Sequence, residues 1–519
     1  MRLALILFVP FVLFGSSPEE ILVGMSLEEK IGQLFIAPGC PKRGVDHLED
    51  WKTLLDEFHI GNVIVKQSNS ADQVRFLNAL QRETKRPLLV VADAEWGLSM
   101  TMEDAPPFPK NMTLGAIQEI SLIERLGEEI GREAQLVGVH MNLAPVVDVN
   151  NNPNNSVIHM RSFGDQSAAV AERGAAMIRG MKKSGLLTCT KHFPGHGDTE
   201  VDSHFGLPII SHSLERLKEI ELPPFKAAIE AGTDAVMSAH ILLKALDLVP
   251  ATLSFPVMTT LLRHDLGFNG LIVTDALNMK ALINHYSVEE IVLMAHAAGA
   301  DLLLYGDHVT SAVDSLIQEQ IPKAYRALLS AYQDGTFSMS RLDASVLRIL
   351  QAKDQVTNWI VDENPKLRNG KVGLLRQQLY QAAVTQLGVD FAPLDPDVAY
   401  LSVGGSGKED FIFPGFCPCS CSTWEERSDV FSFERIVISL RNIDPKEKKY
   451  GLTDEQLAFF AELASTKKVV FCLFGTPYAA SLLPKNGTIL IGYEEEAQRA
   501  VLNVLTGERK AQGRLPITL

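Results

Sequence analysis

The chain is poor in cysteine, with six thiols in 519 residues. That is far too few for a disulfide scaffold, so stability has to come from buried apolar surface. It also lacks a basic surplus. Lys and Arg number 48 against 63 Asp and Glu, a formal net charge of −15, which argues against a nucleic-acid partner because phosphate neutralisation needs a basic surface. No solenoid repeat of fixed period is visible. A dinucleotide fingerprint is missing too. Val403-Gly404-Gly405-Ser406-Gly407 departs from G-x-G-x-x-G and leads into no evident helix, so it reads as a glycine turn at a sheet end.

The apolar run at 3–14 is too short to span a membrane comfortably. It follows Arg2, precedes Gly15-Ser16-Ser17, contains Pro10 and has no polar face, which separates it from a buried amphipathic helix. It reads as a signal peptide over 1–17, with export to the periplasm or beyond expected and no membrane span after its removal. No cysteine precedes Cys40, so a lipoprotein cleavage site is absent. Cys417, Cys419 and Cys421 crowd one loop. That loop reads as exposed, as disulfide-bonded in an oxidising compartment, or as a soft-metal site, and nearby sequence offers no further ligands for the last.

What the chain does have is a globular balance, 46% hydrophobic and 21% charged, over a length that suits two domains. Short apolar runs at 33–37, 61–66, 88–93, 140–145, 186–191, 235–240, 271–275 and 301–305 alternate with helical patterns such as 70–84, 121–136, 168–184, 214–231, 256–265 and 288–298. Eight strand–helix units predict an α/β fold, an N-terminal (β/α)8 TIM-like barrel over 18–353. A doubly wound open sheet is the competing topology. A polar linker is expected over 354–373. A C-terminal α/β (αβα) sandwich with a largely parallel sheet is expected over 374–519, from a helix at 374–387 and strands at 399–403, 435–440, 468–474 and 488–493.

Active sites of such barrels lie at the C-terminal ends of strands. Several runs here end in ionisable residues: Asp93, Lys191 with His192, His240 and Asp275, with Asn142 and Asp148 flanking the fourth. The densest stretch is 191–204, Lys-His-Phe-Pro-Gly-His-Gly-Asp-Thr-Glu-Val-Asp-Ser-His. Lys191 and His192 are donors suited to the hydroxyls of a polar substrate. Asp202 and His204, two apart, share a side of an extended loop, and a carboxylate beside an imidazole is what a general acid/base requires. Asp275 leaves an apolar strand, a natural place for a nucleophile. A rival reading makes His192, His196, His204, His240 and Asp275 the ligands of a zinc hydrolase. Barrels of that kind supply an H-x-H pair from the first strand, and 33–37 offers none.

These residues resemble glycoside hydrolase family 3, specifically its bacterial β-N-acetylglucosaminidase branch, whose mark is the loop ending Asp202-Ser203-His204. The likeness extends to Asn150-Asn151-Asn152-Pro153, Arg161-Ser162-Phe163-Gly164, Met237-Ser238-Ala239-His240, Val273-Thr274-Asp275 and Arg348-Ile349-Leu350. It also covers 473–478 and Gly513-Arg514-Leu515-Pro516. The resemblance implies a retaining exo-β-N-acetylglucosaminidase that needs neither cofactor nor metal. Asp275 would be the nucleophile, His204 the acid/base and Asp202 its orienting partner. Asp93, Arg161, Lys191 and His192 would bind sugar hydroxyls, with His240 at the floor. An imidazole thus replaces one of the usual two carboxylates, so phosphate could take the place of water and make the enzyme a phosphorylase. The implied substrate is a saccharide or muropeptide bearing N-acetylglucosamine. One departure stands out: Trp96 follows Asp93-Ala94-Glu95 where the branch often carries glycine. A non-catalytic saccharide-binding protein is the remaining alternative. Oligomeric state is not legible.

Overall fold

A computed structural model of the chain describes residues 16–199, 206–306, 312–367, 370–394, 397–404 and 420–519. They form two compact units. The first comprises Met1–Pro107, Glu124–Val147 and Gly174–Arg368; the second comprises Phe108–Ile123, Asp148–Arg173 and Asn369–Leu519.

The first unit is built on an eight-stranded parallel sheet. Its strands are β1 (Phe35–Gly39), β2 (Asn62–Val65), β3 (Leu89–Ala92), β4 (Met141–Asn142), β5 (Leu187–Phe193), β6 (Ala235–Ser238), β7 (Leu271–Thr274) and β8 (Leu303–Leu304). They pair in chain order, and β8 returns to β1 through Phe35 opposite Leu303. The β7–β8 seam is carried by a bridge between Val273 and Leu302 and by the Thr274 N–H donating to the Leu302 carbonyl at 3.0 Å. Every strand in this ring is buried along its length, as in Leu271, Ile272 and Val273 at 0–1% exposure, which is why each reads as an apolar run without alternation. All eight expected strands are present in the expected order, and the open-sheet alternative is excluded.

The helices between them start where the sequence supplies caps. Asn69 caps Ser70–Glu83 through the Asp72 N–H, and Ser287 and Glu290 form a capping box on Val288–Ala298. The helix expected over 214–231 is instead two, Leu214–Glu219 and Leu222–Glu230. Pro223 and Pro224 restart it, because a proline is tolerated only in a first turn.

A charged cluster sits at the opposite end of the ring from the strand C-termini. Asp301, fully buried just before β8, accepts from Arg263 Nη2 at 2.7 Å, Arg348 Nη1 at 2.9 Å, Ser345 Oγ at 2.5 Å and the Ile272 N–H at 3.0 Å. The motif Arg348-Ile349-Leu350 therefore serves this end of the barrel.

The second unit has a six-stranded sheet in the order β9-β14-β13-β12-β10-β11, where β9 is Thr385–Gly388, β10 Ala399–Val403, β11 Ser420–Thr423, β12 Arg435–Ile443, β13 Lys468–Gly475 and β14 Thr488–Ile491. All pairs are parallel except β9 with β14. The helix expected at 374–387 corrects to Gly370–Ala383 followed by β9. Thr385 there is paired across to Ile491, so cross-strand hydrogen bonds override the helical pattern running into it. Tyr400, Val437, Cys472, Leu490 and Val501 are among the residues that make this unit's core. Cys421 lies on β11 opposite Tyr400, while Cys417 and Cys419 fall outside the described residues.

Candidate active site

Strand β3 ends at Ala92, and the chain leaves it through Asp93-Ala94-Glu95. Asn142, at the end of β4, fixes that exit. Its Oδ1 accepts from the Ala94 N–H at 3.0 Å and its Nδ2 donates to the Ala94 carbonyl at 2.9 Å. Strand β5 brings Lys191 alongside. Lys191 Nζ lies 2.8 Å from Asp93 Oδ1 and 2.9 Å from Glu95 Oε1, and Lys66 Nζ, just beyond β2, lies 3.3 Å from Asp93 Oδ2. Strands β2, β3 and β5, the last across the short β4, thus bring together an alternating cluster of two ammonium groups and two carboxylates. Glu95 is almost fully buried, whereas the Asp93 side chain keeps 14% exposure. Asp93 is therefore the carboxylate of the pair that a ligand hydroxyl can reach.

His192 follows Lys191 across a cis peptide bond and is buried. The ring of His196 stands edge-on to it, centroids 6.0 Å apart. His196 Nδ1 and Thr199 Oγ1 share a 2.8 Å hydrogen bond, and Thr199 Oγ1 also donates to the His196 carbonyl at 3.1 Å. His196 thus braces its own turn. Gly195 needs to be glycine at this point: its φ is +125°, and a Cβ would come within 2.8 Å of the Glu221 side chain. Further along, Asp198 Oδ2 and His212 Nε2 share a hydrogen bond of 2.5 Å. Asp202 and His204 lie outside the described residues.

The remaining rim comes from β6 and β7. The Asp275 N–H donates to the Ser238 carbonyl at 3.2 Å, and the Ala276 N–H donates to Asp275 Oδ1 at 2.7 Å, which fixes the carboxylate. His240, fully buried, contacts the Ala276 carbonyl through Nε2 at 2.9 Å and Thr252 Oγ1 through Nδ1 at 2.8 Å. It ties the residue after Asp275 to β6. Both His240 nitrogens are committed to protein partners, so that ring is poorly disposed as a zinc ligand. Behind the rim, Cys189 is buried and desolvation pushes its thiol up, which leaves it inert.

Asp93, Lys191, His192, His240 and Asp275 therefore share one end of one barrel, the end where strands terminate. Arg161 belongs to the second unit, on the turn His159–Arg161. Sequence reasoning did not give Glu95 a role. Its signal was a second acid two residues after Asp93, at a strand exit where extended backbone puts both on one side.

A parallel eight-stranded ring with a polar, strand-end site defines a (β/α)8-barrel protein with its working face at the C-terminal rim. The profile of the Glycosyl hydrolase family 3 N terminal domain matches residues 26–352. The chain belongs to glycoside hydrolase family 3. It is 33% identical over 367 residues, 65% of its length, to "Beta-hexosaminidase A" of Pseudoalteromonas piscicida. It is 31% identical over 343 residues, 64% of its length, to the "Beta-N-acetylglucosaminidase/beta-glucosidase" of Cellulomonas fimi. The matches span 61% and 58% of those two relatives. Among solved structures it is similar to a family 3 beta-N-acetylglucosaminidase from Paenibacillus sp. str. FPU-7, with TM-score 0.80, 31% identity and coverage of 95% of this chain and 99% of that one.

Proposed function

We propose that the protein is a retaining exo-β-N-acetylglucosaminidase that hydrolyses terminal β-linked N-acetylglucosamine through a covalent glycosyl-enzyme. The observation that carries this is the half-buried Asp275 carboxylate, held by the Ala276 N–H at 2.7 Å on the rim that also bears Asp93 and Lys191. The relatives' names, N-acetylglucosaminidase and hexosaminidase, support the sugar.

In this reading Asp275 attacks the anomeric carbon as nucleophile. His204, oriented by Asp202, protonates the leaving oxygen and then activates water. Asp93 accepts from a sugar hydroxyl, and Lys191 and His192 donate to others. His240 acts one step back, by holding the backbone beside Asp275. The natural substrate is a peptidoglycan fragment, N-acetylglucosamine linked to anhydro-N-acetylmuramic acid, reached in the periplasm through the leader at 1–17. Among the described residues no helix is long and apolar enough to cross a membrane.

Hydrolysis of an aryl β-N-acetylglucosaminide beside the matching glucoside tests the specificity. A preference for the glucoside overturns it. Repeating the reaction in phosphate separates water from phosphate as acceptor: free sugar is expected, and a sugar 1-phosphate would reassign the enzyme as a phosphorylase.

A further inference from the structure

Strand β2 runs out at Val65, and Lys66 is the next residue. Its backbone is held on both sides. The Lys66 N–H donates to the carbonyl of Gly39, the last residue of β1, at 3.4 Å. Beyond it Gln67 takes φ +43°, a left-handed state that a non-glycine residue holds only where its surroundings fix it. Ser68 does the fixing. Its N–H donates to the Thr101 carbonyl at 3.2 Å, and its carbonyl accepts from the Glu103 N–H at 3.0 Å. The Lys66 side chain therefore leaves a defined backbone at the barrel end that carries Asp93 and Lys191.

Its ammonium is satisfied differently from those of two other lysines of the barrel. Lys353, buried at the opposite end of the ring, donates to Gln33 Oε1 at 2.7 Å and to the Gly61 carbonyl at 2.8 Å. Lys191 reaches two carboxylates, at 2.8 and 2.9 Å. The Lys66 side chain keeps only 11% exposure, yet among the described residues its Nζ has one polar partner, Asp93 Oδ2, at the longer distance of 3.3 Å. An ammonium carries three donors, and a charge so nearly buried is costly until they are used. Asp93 stands beside it as a partly exposed acceptor. A hydroxyl oxygen about 2.8 Å from both groups donates to Asp93 and accepts from Lys66, which uses both halves of its hydrogen-bonding capacity.

We infer that Lys66 is a further sugar-binding residue, which donates to the oxygen of the same hydroxyl whose proton Asp93 accepts. This rests on the assignment of the barrel rim to a terminal N-acetylglucosamine. The pair selects a free hydroxyl. An ether at that carbon has no proton for Asp93, and a deoxy sugar leaves the Lys66 ammonium unanswered. That is the discrimination a desolvated hydrogen-bonding site makes most strongly.

The test is steady-state hydrolysis of an aryl β-N-acetylglucosaminide and of its analogues deoxygenated in turn at C3, C4 and C6. Wild type, Lys66→Met, Asp93→Ala and the double variant are compared, with a thermal melt of each. Lys66→Met keeps most of the stem and removes the charged donor. It should lower kcat/KM on the parent glycoside about 30-fold, as loss of a charge-assisted hydrogen bond does. On the one analogue that lacks the shared hydroxyl it should change kcat/KM less than about twofold. In the Asp93→Ala background it should still slow the parent and still spare that analogue. Equal losses on all four glycosides overturn the inference. So does a loss that vanishes once Asp93 is alanine, because Lys66 would then only prop Asp93. Lys66→Gln runs the same cycle and decides the matter if Lys66→Met does not fold. A wild type that cannot turn over the parent glycoside overturns the functional reading itself. Turnover by wild type, matched by Lys66→Met, overturns this inference alone.

Discussion

The barrel carries a charged cluster at each of its two ends, and they are satisfied differently. At the floor, one carboxylate, Asp301, is fully buried and takes hydrogen bonds from Arg263, Arg348, Ser345 and a backbone N–H. At the rim, two carboxylates and two ammonium groups meet, and the Asp93 side chain keeps 14% exposure. A buried carboxylate fully paired to fixed groups has no capacity left for a ligand. A partly exposed one exchanges water for a hydroxyl at little cost. Position in the ring decides which is which: strand C-termini open onto loops, and N-termini close onto packed helices.

Substitutions at the two ends should therefore separate turnover from folding. The largest effect is expected from Asp275→Ala, which should lower kcat about 10⁴-fold with the melting temperature nearly unmoved, because the proposed nucleophile is lost from a half-buried place. Full activity in that variant would remove Asp275 from the mechanism. Asp301→Ala should do the reverse and cost about 3–5 kcal/mol in denaturant unfolding, since it strands buried arginine charge, while activity per folded molecule holds. A floor variant that folds normally but turns over slowly would erase the distinction. Lys191→Ala lies between them. Its loss removes a donor and sets Asp93 and Glu95 against each other, so kcat/KM should fall about 100-fold, with a smaller loss of stability than Asp301→Ala shows.

The two ends were not equally legible in the sequence. The rim was visible because each buried parallel strand is an apolar run, and an ionisable residue at its end is conspicuous: Asp93, Lys191, His240 and Asp275 all lie where the runs stop. Asp301 also borders such a run, at its start, and nothing in local periodicity marks its arginine partners 38 and 47 residues away. The same limit hid the make-up of the second unit. Phe108–Ile123 and Asp148–Arg173 pack with the C-terminal sheet through contacts such as Asn150 with Tyr478, 328 residues apart, which no window of sequence contains. The strand β9 was lost for another reason: a helix runs almost directly into it, and only pairing with β14 ends the helix.

The smallest expected effect extends the comparison to the second unit. Glu494 is a carboxylate whose two mapped partners are neutral donors, the Lys110 N–H and the Thr113 hydroxyl. Desolvation raises it to about 7 against an ordinary 4.5, the hydrogen bonds opposing. A group whose folded pKa is raised contributes its full stability below the unfolded value, and loses it as pH climbs from 4.5 through 7. Glu494→Gln keeps an oxygen for both donors and carries no charge to desolvate. The variant should therefore match wild type near pH 4.5 and exceed it above pH 7. Residual solvent contact of the side chain holds the gain to about 1 kcal/mol. Thermal melts of both proteins across that range check it: the curves should part as pH rises. Curves that stay parallel would mean that Glu494 is ionised at no cost, and that the second unit holds a carboxylate as securely as the arginines hold Asp301.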